Sequence, residues 1–162
     1  MRRYAAVAVI STRMDEILFI RRRENPNDPW SGDIAFPGGR KVGEDRHLLD
    51  TVYREVLEEV GIELDKLDVE PILIGVFSPL SFPDYKVYAY NFWIDDRVEA
   101  SQGEEVDGIF WISPHSLEKG RCLRLIRFRN VVRDVDCYMS GELVIWGMTY
   151  RILKKFLDTF YF

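Results

Sequence analysis

Apolar residues along the chain gather in short runs, alternating or continuous and rich in β-branched and aromatic side chains. The runs are Tyr4 to Ile10, Ile17 to Ile20, Ile34 to Phe36, Ile72 to Phe77, Val87 to Ile94, Ile109 to Ile112 and Leu123 to Phe128. Such runs predict strands. Clusters of turn formers separate them: Asn25-Pro26-Asn27-Asp28-Pro29, Pro37-Gly38-Gly39, Ser81-Phe82-Pro83-Asp84 and Ser101-Gln102-Gly103. Two other segments repeat with the helical period. His47 to Val60 sets Leu48, Leu49, Val52, Val56 and Val60 on one stripe and stops at Gly61, a residue suited to a left-handed helix end. Trp146 to Phe160 places Met148, Ile152, Leu153, Phe156, Leu157 and Phe160 at the same spacing, with Lys154 and Lys155 outward. Strands, a helix, more strands and a closing helix predict an α/β (α+β) fold, a mixed sheet with helices on its faces. No repeat, low-complexity tract or linker interrupts the 162 residues, so a single domain spanning 1–162 is expected.

Composition narrows the function classes. With 47% hydrophobic residues the chain can fill one core, and a net charge of −5 argues against a nucleic-acid binder that works by counterion release. No apolar run approaches the roughly 20 residues that span a bilayer, and the opening MRRYAAVAVISTR lacks a signal-peptide pattern, so a cytoplasmic protein without a membrane partner is expected. Neither the two cysteines, Cys122 and Cys137, nor the two histidines, His47 and His115, have zinc-site spacing. A disulfide scaffold is not expected, and pairing of the two cysteines stays open.

The informative stretch is Arg54-Glu55-Val56-Leu57-Glu58-Glu59-Val60-Gly61. With Val52 at zero on a helical wheel, Leu48 falls at about −40°, Val56 at about +40° and Val60 at about +80°. Glu59 falls at about −20°, inside the apolar arc, Glu55 at about −60° and Glu58 at about −120°. Glu58 can pair with Arg54 at i, i+4, as on any solvated helix face. Glu59 has no such outlet, and a carboxylate among Leu48, Val52 and Val56 needs a cation or several donors to stay ionised. Clustered carboxylate oxygens suit a hard divalent ion, Mg2+ or Mn2+, that shares its remaining contacts with water and substrate phosphates. Phosphate-ester or pyrophosphate chemistry follows as the leading reading.

These residues resemble the box of the Nudix hydrolases, G-x5-E-x7-R-E-U-x-E-E-x-G-U with U a bulky aliphatic residue. Arg54 to Ile62 matches every fixed position of the second half. The first half departs: from Gly38 the spacing reaches Glu44 and leaves nine residues before Arg54, whereas from Gly39 it reaches Asp45 and leaves eight. A loop longer by one residue, with Asp for Glu, is similar to the coenzyme A pyrophosphatase branch. That branch also has the upstream pattern L-L-T-x-R-[SA]-x3-R-x3-G-x3-F-P-G-G. Here Ile20, Arg23, Gly32 and Phe36-Pro37-Gly38-Gly39 fit it, while Arg21, Glu24 and Asp28 stand where Thr, Ser or Ala, and Arg are expected. Ile145 to Leu153 resembles a further stretch of the branch.

The resemblance implies an αβα sandwich and hydrolysis of a nucleoside diphosphate linked to another group. It implies Glu55, Glu58 and Glu59, with the backbone of Gly39, as metal ligands, and Arg54 as the residue that holds a glutamate in place. Gly38 and Gly39 would let the backbone approach metal and phosphates. Attack by a metal-activated water on phosphorus, with no covalent intermediate, is the implied mechanism. The general base is a box glutamate or an acid of a later loop, for which Glu105 fits best by its distance from Phe110-Trp111-Ile112. Arg23 is a candidate for a substrate phosphate and Trp30 for stacking on a base, though each also suits a solvated strand end or a loop plug. Arg121, Arg124, Arg127 and Arg129 leave three readings open: a basic strand face, a homodimer edge or an anion site.

Coenzyme A, or a related 3′,5′-ADP derivative, is thus the expected small-molecule nucleotide substrate. ADP-ribose, dinucleotide polyphosphates and nucleoside triphosphates are alternatives within the class. From other classes come a Nudix-like module that binds a nucleotide without cleaving it and an RNA-end processor. Complete metal ligation by Glu55, Glu58 and Glu59 counts against the module, and net acidity against RNA.

Overall fold

The first two strands divide their side chains between two cores. In β1 (Arg3–Thr12), Ala6, Ala8 and Ile10 face one side and Val9 the other; in β2 (Glu16–Arg22), Leu18 and Ile20 oppose Ile17 and Phe19. Both strands are therefore covered on both faces, as their near-continuous apolar runs require. The computed structural model describes residues 3–127 and 129–161.

Helix α1 (Leu48–Val60) lays Val52, Val56 and Val60 on the first core, and α2 (Gly147–Phe160) lays Ile152, Leu153 and Phe156 on the second. The result is the expected mixed sheet between helices. β6 (Tyr85–Ile94) runs parallel to β1 along its whole length, and β5 (Ile72–Phe77) closes that edge antiparallel to β6. On its other side β1 pairs with β2 only at Ser11↔Ile17 and Thr12↔Glu16. Beyond that point β3 (Ile34–Ala35) pairs with β2 and β4 (Gly38–Arg40) with β1, so one short segment crosses between them. Pro37 sits at the crossing, where a ladder N–H is dispensable, and its carbonyl accepts the Ala8 N–H at 2.8 Å. β7 (Val106–Ile112) lies antiparallel on the outer side of β2.

A second sheet is an antiparallel meander of β8 (Glu118–Ile126), β9 (Val131–Ser140) and β10 (Leu143–Trp146). It joins the α2 core through Tyr138 and Ile145. All seven predicted strand regions hold a strand, with moved boundaries: of the run read as Leu123 to Phe128, Leu123 to Ile126 belong to a strand that starts at Glu118, Arg127 lies in the turn after it, and Phe128 lies outside the described residues. Trp146, read as the start of the closing helix, ends β10 instead, and Gly147 at φ 65° turns the chain into α2. Cys122 and Cys137 form a disulfide between β8 and β9, which settles the pairing that the sequence leaves open. Among the described residues no helix is long and apolar enough to cross a membrane.

Candidate active site

Helix α1 orders its three glutamates as the wheel predicts. It starts at a junction where the backbone N–H groups of Arg46 and His47 both donate to Asp50 Oδ2 at 3.0 Å, and ends at Gly61, left-handed at φ 69°. Glu59 is 6% exposed, the Glu55 side chain 17% and the Glu58 side chain 59%. Glu59 Oε1 accepts the Gly38 N–H at 2.7 Å. Burial pushes its carboxyl up to about 8 against that hydrogen bond, and the charges of Glu55 and Glu105 push the same way. Burial also raises Glu55, although Arg54 opposes it.

The glycines are fixed by what surrounds them. A Cβ on Gly38 would lie 2.3 Å from the Ala6 carbonyl oxygen and 2.6 Å from Val7 Cα, so β4 can reach β1 only without a side chain there. A Cβ on Gly39 would lie 2.5 Å from the Glu55 carboxyl group. The space between this backbone and Glu55 is thus kept free of side-chain atoms.

Arg54 is the hinge of the charge arrangement. Its guanidinium donates to Asp45 through Nε at 3.2 Å and Nη2 at 2.9 Å, to Glu55 at 2.9 Å and to the Arg40 carbonyl at 3.2 Å, and lies 3.7 Å from Glu58. Asp45 is buried and also accepts from Thr51 Oγ1 at 2.8 Å and from the Val42 N–H at 3.1 Å. Hydrogen bonding to Arg54 holds its carboxyl well below the usual carboxylate range. Glu44 is exposed. Of the two registers the sequence allows for the acid before the helix, the contacts select Asp45.

The loop before β7 docks on the end of α1. Ser101 N–H donates to Val60 O and Gly103 N–H to Glu59 O, each at 2.9 Å, so two carbonyls that a helix end leaves unpaired are capped by this loop. Gly103 fits against the Glu58 carbonyl, where a Cβ would lie at 2.1 Å. Docking brings Glu105 close enough for its charge to act on Glu55 and Glu59, and its carbonyl accepts the Arg23 N–H at 2.9 Å.

These parts line a cleft of about 910 Å³. Its wall includes Arg23, Trp30, Gly38, Gly39, Glu55, Glu59 and Glu105, all named from the sequence. Glu58 is not in that wall, and Arg54 stands behind it. The box carboxylates are not drawn into one cage: among the described residues no three His, Cys, Asp or Glu side chains converge as a metal-ligand set. Two features still fit a hard divalent ion here. Glu59 is a buried carboxylate with a single hydrogen-bond donor, and the Gly39 backbone faces Glu55 with no Cβ between them.

A family model described as the NUDIX domain matches residues 1–129, well over half of the chain. The chain belongs to the NUDIX family. It is 30% identical over 158 residues to an uncharacterized Nudix hydrolase NudL of Yersinia pestis (strain Pestoides F), covering 94% of this chain and 77% of that protein. A MutT/nudix family protein from Enterococcus faecalis shares the Nudix fold at a TM-score of 0.67 and 19% identity. That match takes in 98% of this chain, which spans 62% of the length of the Enterococcus protein. A MutT protein from Methanosarcina mazei Go1 matches at a TM-score of 0.54 and 28% identity, over 69% of this chain and 77% of that one. The chain is accordingly a Nudix pyrophosphohydrolase, of a family that acts on small-molecule nucleotides and generally uses divalent cations.

Several side chains that line the cleft are not singled out by the sequence. Arg22 lines the cleft, pairs with Asp28 at 2.8 Å and casts its charge on Glu59, whereas its neighbour Arg21 turns away over the Phe110 ring at 5.1 Å. Strand alternation after Ile20 is the signal that separates the two arginines. Trp146 and Asp33 reach the cleft from β10 and from the turn before β3. In the arginine series, Arg121 pairs with Asp136 at 2.8 Å, while Arg124 lies over Trp146 and Arg127 pairs with Glu24 at 3.5 Å. Both Trp146 and Glu24 are cleft residues.

Proposed function

We propose that this protein hydrolyses the pyrophosphate bond of a nucleoside diphosphate derivative, with coenzyme A or a related 3′,5′-ADP compound as substrate, giving 3′,5′-ADP and 4′-phosphopantetheine from coenzyme A. The observation that carries the reading is the bare Gly38-Gly39 backbone set against Glu59 and Glu55 at the wall of the cleft. Mg2+ or Mn2+ would be held by Glu55, Glu58, Glu59 and the Gly39 carbonyl. When bound, such a cation supplies the charge that lowers the pKa of a water and offsets that of the phosphates. Arg54, fixed by Asp45, keeps Glu55 in place by ion pairing. Glu105 accepts the proton of the attacking water, a role supported by its closeness to Glu55 and Glu59. Arg23 binds a phosphate and Trp30 a ring of the substrate. Residues 1–162 act as one unit, since α2 and the second sheet share a core with β1 and β2. The proposed substrate is supported by Arg23, Gly32 and Phe36 to Gly39, which fit the branch pattern, and by the selection of Asp45 as the acid before the helix.

One observation favours a second substrate. Asp28, where the branch pattern has Arg, ties up Arg22 and so removes a cation from the cleft, which suits ADP-ribose or another nucleotide with no third phosphate. Incubating a panel of pyrophosphate compounds with the enzyme and Mg2+ or Mn2+, with chromatographic separation of products, tests both. Release of 3′,5′-ADP supports the proposal, turnover of ADP-ribose alone replaces the substrate, and hydrolysis of none refutes the reading.

A further inference from the structure

Asp33 stands on the cleft wall between the Trp30 turn and β3, and no step above uses it. Its main chain is fixed: its N–H donates to Trp30 O at 3.1 Å and its carbonyl accepts the Arg22 N–H at 2.9 Å. Burial raises its carboxyl to about 6, against the charges of Arg124, Arg127 and Arg22. Among the described residues its side chain makes one hydrogen bond, from Trp146 Nε1 to Oδ1 at 3.4 Å, and no ion pair. The three arginines are otherwise engaged, with Asp28, with Glu24 and over the Trp146 ring. Among the described residues Oδ2 has no protein partner, and Asp33 is half-buried, so this oxygen is an acceptor open to the cleft.

The surroundings select what that oxygen can accept from. A cation is disfavoured by the field of three arginines, and an anion by the carboxylate itself. A neutral N–H donor satisfies both. Close by, Trp30 is 39% exposed and braced edge-on by Phe82 at 5.4 Å between ring centres, which leaves an aromatic surface open in the same cleft. Aromatic surfaces of this kind stack on nucleobases. Asp33 and Gly38 are five residues apart in a mostly extended segment, about 17 Å at most, so a nucleotide with its phosphates at the glycines reaches toward Asp33 with its base.

We propose that Asp33 reads the nucleobase, its Oδ2 accepting an N–H from the exocyclic amine of adenine while Trp30 stacks on the ring and Trp146 positions the carboxyl group. This rests on the nucleotide-hydrolase reading of the same cleft and names its specificity residue. Replacing adenine by hypoxanthine turns the donor amine into an acceptor carbonyl and leaves a half-buried carboxylate facing an oxygen.

The test is calorimetric binding of AMP and IMP to the full chain, ligands with no anhydride to cleave. The wild type should bind AMP at least tenfold more tightly than IMP. In Asp33→Asn the amide oxygen still takes the Trp146 N–H and the NH2 group faces the ligand, so the preference should invert. Trp146→Phe should narrow the ratio without abolishing AMP binding. Equal affinities in the wild type, or an AMP preference that survives Asp33→Asn, would overturn the assignment. As a check that needs no variant, kcat/KM of the wild type for the diphosphate it hydrolyses should favour the adenine compound over its hypoxanthine counterpart by a similar factor, and equal values overturn it as well. Hydrolysis with indifference to the base rejects Asp33 alone; no hydrolysis of any diphosphate, with AMP still preferred, rejects the hydrolase reading alone.

Discussion

Replacing Asp45 by Asn tests the coupling that holds the catalytic helix to the loop before it. In the native protein Oδ2 accepts from Val42 N–H, Thr51 Oγ1 and Arg54 Nη2, and Oδ1 accepts from Arg54 Nε. An amide keeps one oxygen acceptor, turns two N–H groups toward a guanidinium and loses the charge. A hydrogen bond to a charged group contributes about 1.5–3 kcal/mol, and a buried ion left wholly unpaired costs about 3–5 kcal/mol. Arg54 retains Glu55 and the Arg40 carbonyl, so the cost falls below the unpaired case, at about 2–3 kcal/mol. With a urea m-value of about 2 kcal/mol/M, the unfolding midpoint should fall by about 1–1.5 M. Glu44→Gln, at an exposed position, should leave it unchanged. The pH dependence follows from Asp45 being held ionised well below its ordinary value of 3.8. Its stabilisation is complete above that value and is lost as pH falls through the lower pKa of the fold, so the gap between wild type and Asp45→Asn should be constant from about pH 5 to 8 and narrow in stronger acid. A midpoint shift under about 0.2 M, or an equal effect of Glu44→Gln, would refute the Asp45–Arg54 linkage.

Glu59→Gln keeps an acceptor for the Gly38 N–H, so its circular dichroism should match the wild type while kcat/KM with Mg2+ falls at least a hundredfold, about 2.7 kcal/mol; near-wild-type turnover would remove Glu59 from the metal site. Chelation by EDTA should abolish hydrolysis, and added Mg2+ or Mn2+ should restore it. The two glycines should separate in their effects. Gly38→Ala meets β1 backbone and should cost about 3 kcal/mol or more in thermal unfolding, whereas Gly39→Ala meets only the movable end of Glu55 and should lose activity with little change in stability. Reducing the Cys122–Cys137 bond, which closes a separation of 15 residues, should lower stability by up to about 3 kcal/mol and leave kcat near its native value, because neither cysteine lines the cleft. Mass spectrometry of the protein isolated under thiol-blocking conditions should find Cys122 and Cys137 joined.

Much of the site was legible because α1 violates its own pattern. A carboxylate inside an apolar arc is visible from spacing alone, and the ordering of Glu59, Glu55 and Glu58 by exposure follows the wheel. The strands β1, β2 and β6 were legible for a similar reason, each being buried on both faces and therefore apolar along its length. β9 was not. Its outer half carries Arg133, Asp134 and Asp136 at exposed positions, so no period of two marks it, and its pairing with β8 supplies what composition does not. Asp45, one of two acids the spacing allows, needed its contact with Arg54 to be chosen over Glu44, and Asp33 needed the fold outright, as one acid in a loop whose partner Trp146 lies 113 residues away.

The crossing at Pro37 ties the glycine floor to two strands at once, with Ile34 and Ala35 anchored on β2 and Gly38 to Arg40 on β1. Everything from Arg23 to Asp33 then hangs as a loop from a frame that does not depend on it. Under the proposed function, the residues assigned to substrate contact can change in that loop while the Gly38-Gly39 backbone stays in register, so one hydrolytic core could be refitted for new leaving groups without being rebuilt.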